Sequence, residues 1–139
     1  MGKINWGRMF LCGLLAGAAG LVFIGIIIAF FARDFAAAVQ ASGHPFAPTG
    51  IGARVFLVIG NFAVGIWTMW LYAAIRPRYG PGPKTAVIAG LALWTIGGAA
   101  DAFWVLLGFI PPQPLLTPVA AALPAILLAA VVGAWLYKE

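Results

Sequence analysis

Three acidic residues, one histidine, one cysteine and one serine are spread through 139 residues, too few for most active-site chemistry. The serine is Ser42 and the histidine His44, so a Ser-His-Asp or Cys-His arrangement has no residues from which to be built. A bis-imidazole haem would need a second histidine, and no His/Asp/Glu cluster exists to hold a metal. Cys12 can form no intrachain disulfide and reads as a small packing residue. The residues before it, Met9-Phe10-Leu11, lack the small residue that a lipoprotein signal places ahead of its cysteine. Gly80-Pro81-Gly82-Pro83 is glycine-rich, but its prolines remove the N–H groups that a phosphate cradle needs. Charge is scarce as well. Charged residues make up 8% of the chain, against ~25% in a soluble domain. The net charge of +5 comes from scattered residues with no cluster of four or more, so no nucleic-acid partner is expected.

What the chain has is apolar length. Hydrophobic residues reach 64%, and four runs, Met9–Phe31, Val55–Ile75, Ala86–Ile110 and Leu115–Leu136, each approach or exceed the ~20 helical residues that cross a ~30 Å hydrocarbon core. Lipid offers nothing to backbone polar groups, and period-2 alternation is absent, so the runs must be helices. The expectation is an all-α integral membrane protein with one domain over residues 1–139, a four-helix transmembrane bundle. Lys3 and Arg8 ahead of the first run resemble the start of a secretory signal. That run exceeds the ~7–15 apolar residues of such a signal, so an anchor helix is expected instead.

The connections predict the topology. Residues 32–53 begin as a helical segment through Gln40 that either extends helix 1 beyond the membrane or bends onto its surface, stop at Gly43 and continue as irregular loop. Residues 76–84 carry three prolines, which predict a stiff, non-helical connection, with Arg76, Arg78 and Lys84 as its basic residues. Pro111-Pro112-Gln113-Pro114 predicts a tight hairpin. Lys3, Arg8, Arg76, Arg78, Lys84 and Lys138 fall on one side, against Arg33 and Arg54 on the other. Basic residues mark the cytoplasmic side, which predicts both termini inside. Trp6, Tyr72, Tyr79, Trp135 and Tyr137 are expected in the aromatic belt at that interface. Trp70-Leu71-Tyr72 and Trp135-Leu136-Tyr137 close helices 2 and 4 alike, and Arg8 to Gly13 parallels Lys84 to Gly90. Two repeated helical hairpins would give this pattern; the aromatic belt alone would give the tryptophans and tyrosines. Both readings stand.

Small residues mark the packing faces. Helix 1 offers Gly13, Gly17 and Gly20. Helix 3 carries a stripe of Gly90, Trp94, Gly97, Asp101, Trp104 and Gly108, and helix 2 one of Arg54, Val58, Asn61, Gly65, Thr68 and Tyr72. The two stripes are expected to face each other or the bundle interior, with Asn61 against Asp101 and Arg54 within reach through water. Asp101 is the one acidic residue inside a span, ~14 Å from the outer end if helix 3 runs to Ile110. A membrane acid costs at least ~2.5–3.5 kcal/mol at the helix centre and is often functional. Asp101, Asn61, Thr68, Thr95 and Arg54 therefore form a candidate intramembrane polar site. Its functional reading is a proton or cation site; its plain reading is a protonated, hydrogen-bonded packing residue. Pro124 frees the carbonyl of Ala120 in helix 4 and predicts a kink. Trp67, Trp94 and Trp104 lie deep enough to line a cavity or stack on a lipid or pigment.

The stretch Trp70-Leu71-Tyr72-Ala73-Ala74-Ile75-Arg76-Pro77-Arg78-Tyr79-Gly80-Pro81-Gly82-Pro83-Lys84-Thr85-Ala86 resembles a signature of small bacterial four-helix membrane proteins. That resemblance implies a bacterial inner-membrane location and brings no activity with it. In outline the chain is also similar to small multidrug-resistance transporters, but their glutamate lies in helix 1, where this chain has no charge within the span. Two functions follow as expectations. One is a non-enzymatic accessory or structural subunit of a larger membrane complex, bioenergetic or pigment-binding among the options. The other is a small oligomeric cation- or proton-coupled transporter using Asp101. No cofactor is evident, bound lipid or pigment is compatible, and the expected partners are membrane lipids with a membrane protein or further copies of the chain.

Overall fold

A chain so poor in charge can shield its backbone only by coiling it, and it does so four times. The computed structural model describes residues 4–30, 33, 40, 50–108 and 112–137. Four helices follow one another: α1 (Trp6–Phe30), α2 (Ile51–Tyr79), α3 (Pro83–Leu106) and α4 (Pro112–Leu136). Each contains a stretch long and apolar enough to cross a membrane. The protein is therefore a four-helix, multi-pass membrane bundle. Neighbouring helices run antiparallel, α1 packs on α2 and α4, and α3 completes the ring against α4 and, less extensively, α2. Most of the predicted connection over residues 32–53, with His44, lies outside the described residues, as do Lys3, Asp34, Lys138 and Glu139.

The second connection departs most from expectation. α2 continues through Pro77 to Tyr79, and only Gly80, Pro81 and Gly82 lie between α2 and α3. Pro77 stands in the last turn of α2, where it costs a single intrahelical bond and no further turns depend on it. Pro83 opens α3, where a missing N–H is no loss. Gly80 (φ 84°) and Gly82 (φ 130°) supply a reversal that residues with a side chain rarely adopt. The Thr85 hydroxyl donates to the Gly80 carbonyl at 2.6 Å and the Gly82 N–H donates to the Tyr72 hydroxyl at 3.2 Å, clamping the turn from both flanks. Arg76 and Arg78 are thus helical rather than loop residues, and Lys84 lies in the first turn of α3.

The turn, Trp6 and Leu136 lie at one end of the bundle, termed proximal below. Every buried residue among those described falls in segments 9–17, 65–73, 85–90 and 125–137, all in the proximal half. The reason is backbone proximity. A methyl group on Gly65 would come within 2.5 Å of the Gly13 carbonyl oxygen and of the Gly17 nitrogen, and one on Gly13 within 2.6 Å of Ile66 Cα. Only glycine at both faces lets α1 and α2 meet backbone to backbone, gaining the dispersion contacts that hold helices together in lipid. Gly133 of α4 docks in the same junction, touching Met69, Ala16 and the Cys12 carbonyl. Gly90 seats α3 on Leu127 and Ala130 of α4. Met9, Met69, Tyr72 and Tyr137 fill the space around these crossings.

Candidate functional site

Of the two expected arrangements, the α2 stripe takes the interior one, turning against α1 rather than against the α3 stripe. The Asn61 amide donates to the Gly17 carbonyl of α1 at 2.6 Å, because Asn61 and Gly65 share the helical face that the α1 glycines draw in. Gly20 lies beside the same amide. On α3, Gly90 and Trp94 turn to α4, and the Trp94 indole N–H donates to the Val119 carbonyl at 2.8 Å. That acceptor is one residue from Ala120, whose carbonyl loses its usual intrahelical donor at Pro124; α4 remains helical through this proline. The expected Asp101–Asn61 contact is thereby replaced by two separate polar contacts, neither of which involves Asp101.

Asp101 is half-buried. It lines a groove of about 320 Å³ together with Trp67 of α2, Trp94 and Gly97 of α3, and Val119 and Ile126 of α4. α3 ends at Leu106 rather than Ile110, so Asp101 lies five residues, or ~7.5 Å, from the helix end. That is about half the expected depth. Among the described residues nothing donates to its carboxyl group. Gly97 explains why the groove exists. A methyl group built there would meet nothing within 4 Å, so its glycine is not spent on a close crossing; it leaves open space beside the carboxyl. The groove is otherwise apolar and flanked by indoles, a setting in which a carboxyl can accept from an incoming donor or face a cation against an aromatic surface.

The remaining sequence-derived candidates disperse. Thr68 is buried, but its hydroxyl donates to the Val64 carbonyl of its own helix at 2.7 Å. Thr95 is exposed and shares its hydroxyl proton between the carbonyls of Leu91 and Ala92, each at 2.9 Å. Arg54 is exposed in the first turn of α2 and does not line the groove. Trp104 is half exposed and also lies outside the groove. Gly108 does not pack helices: with φ 76° it ends α3, and its N–H donates to the Val105 carbonyl at 2.9 Å. Among the described residues no group of three His, Cys, Asp or Glu could hold a metal.

Two residues expected in the interfacial belt are interior. Tyr72 and Tyr137 are each 2% exposed, and their rings meet edge to face at 6.0 Å. Trp6, Tyr79 and Trp135 do remain exposed. The signal that would have turned Tyr137 inward is the four-residue ladder Ala125, Ala129, Gly133, Tyr137, whose members are all buried; Gly133 was missed with it. Around the tyrosines, the ends of α2 and α4 and the Gly80–Gly82 turn enclose a second cavity of about 470 Å³ that includes Arg76. A third, of about 180 Å³, lies along the bundle axis between α1, α2 and α4, with Asn61 and Thr68 on its wall.

Comparison with known proteins finds no family model, no curated protein and no solved structure that matches the chain.

Proposed function

We propose that this protein is a non-enzymatic subunit of a larger assembly in a bacterial cytoplasmic membrane, with both termini inside, and that its partner helix covers the Asp101 groove. The observation that carries this reading is the carboxyl group of Asp101. It lies within a membrane helix, in an apolar groove open at the bundle surface, with no donor among the described residues of its own chain. A carboxyl in lipid is costly, and the usual remedy is a hydrogen bond from a facing helix. The distal half of the bundle, where no described residue is buried, leaves that side open to such a helix. A bacterial location rests on the resemblance of the second connection, and the orientation on the basic residues gathered at the proximal end.

The test is photo-crosslinking in native membranes from a benzophenone side chain at Ile96 or Phe103, which are exposed beside the groove, and at Leu14 on α1 as reference. One recurrent protein adduct from the α3 positions, weakened by Asp101→Leu, is expected. Adducts to lipid alone, or equal adducts from Leu14, would overturn the reading.

A second reading has its own observation. Asp101 shares its groove with the indoles of Trp67 and Trp94, a combination of charge and aromatic surface suited to a lipophilic cation. A transporter of that class would carry flux in liposomes that Asp101→Asn abolishes. Flux that survives the substitution rejects it.

A further inference from the structure

The proximal cavity has a different character from the Asp101 groove. Tyr137, which lines it, is almost wholly enclosed, yet among the described residues its phenol oxygen has no hydrogen-bond partner. An orphaned buried hydroxyl forfeits a bond it would make in water, so its position calls for a partner that the described residues do not supply. The Arg76 guanidinium stands 5.5 Å from the centre of the same ring. The Tyr72 hydroxyl, on the same cavity wall, accepts from the Gly82 N–H and still has its own proton to donate. One cation and two phenol donors thus border a single space. Arg78 and Lys84, both exposed, flank the same turn at the end of α2 and the start of α3.

We propose that this cavity binds the phosphate group of an anionic phospholipid. Phosphate suits the donor set: its oxygens accept several charge-assisted bonds at once, and guanidinium is its preferred cation. A lipid suits the shape. The opposite wall is apolar, formed by Val131, Ala134 and the exposed face of Trp135, a surface for the first carbons of an acyl chain. The cavity also lies where the helices end, at the level of headgroups. The lipid would tie α2, α4 and the Gly80–Gly82 turn together. This site is independent of the Asp101 groove and of any partner there.

The test is native mass spectrometry of the whole chain in a neutral detergent, titrated with dioleoyl-phosphatidylglycerol, dioleoyl-phosphatidylcholine or inorganic phosphate. One phosphatidylglycerol should bind about tenfold more tightly than phosphatidylcholine. Tyr137→Phe should weaken it about tenfold, the worth of one hydrogen bond to a charged group. Arg76→Gln should weaken it more, and Arg78→Gln by less than about twofold, as for a screened surface charge. Tyr137→Phe keeps the ring and removes only an unpartnered hydroxyl, so its lipid-free melting temperature should not fall. It therefore decides the matter even if Arg76→Gln fails to fold. Unchanged phosphatidylglycerol affinity in Tyr137→Phe overturns the site, as does an Arg78→Gln loss equal to that of Arg76→Gln. Displacement of the lipid by millimolar inorganic phosphate would assign the site to free phosphate and overturn the lipid proposal.

Discussion

At the proximal end, glycine brings the backbone of α1 close to α2 and α4 and seats α3 on side chains of α4; at the distal end, Phe56, Ile59, Phe103 and Leu106 point outward and no described residue is buried. The same apolar spans run through both halves, so a high hydropathy is not by itself what buries residues. In lipid, an apolar side chain gains nothing merely by facing another helix. What separates the halves is the size of the residues at the crossings. Gly13, Gly17, Gly65, Gly90 and Gly133 all meet a neighbouring helix. Gly25, Gly52, Gly60 and Gly97, at distal positions, have nothing near enough to touch an added methyl group. Glycine therefore does opposite work in the two halves. At the first set of positions it closes contacts, and at the second it leaves room.

The sharpest way to break this contrast is to place the same side chain in both halves. Gly65→Leu should separate α1 from α2 and cost ~3 kcal/mol or more, because the obstructing atoms are backbone and cannot rotate away. Unfolding of the micellar protein in SDS would measure this, and a stable Gly65→Leu bundle would refute the close crossing. Gly133→Ala should cost ~1–2 kcal/mol in the same assay, since Met69 can move but Ala16 and the Cys12 carbonyl have less freedom. Asn61→Leu removes the bond to Gly17, a loss of ~0.6–1.7 kcal/mol on the scale of interhelical hydrogen bonds in membranes. Gly97→Leu should change stability least, by ~0.5 kcal/mol or less. It should nonetheless fill the space beside Asp101 and abolish the crosslinks expected from Ile96. If Gly97→Leu destabilises as Gly65→Leu does, the two halves are not different in kind.

Hydropathy made the four helices legible, since a run of about twenty apolar residues admits no other structure in lipid. The α1 glycine face was legible too, because Gly13 and Gly17 fall on one face at a spacing of four. The pairing of faces was not. Asn61 and Asp101 were matched by depth, which fixes height along a helix but not its rotation; the rotation of α2 is set by Gly65 against α1. The depth of Asp101 was overestimated because an apolar run continues past Gly108, and hydropathy cannot see a left-handed cap. Pro77 misled in the opposite direction. A proline forbids one hydrogen bond rather than a whole turn, so α2 runs to Tyr79. Tyr72 and Tyr137 were assigned to the interface by type, whereas the small-residue ladders of their helices direct them inward.

Cys12 joins these contacts to the order in which the chain is made. It is buried, and its carbonyl borders the position where Gly133 of α4 docks. α4 is made after α1, α2 and α3, so its seam with α1 at the Cys12 carbonyl forms after those three helices are complete. During synthesis the only cysteine of the chain should stay open to a membrane-permeant maleimide until the last helix has inserted, and then become protected. The thiol is thus a built-in clock for biogenesis. Chains arrested before Gly133 should label readily and full-length chains slowly, and the interval between the two would time the closing of the ring.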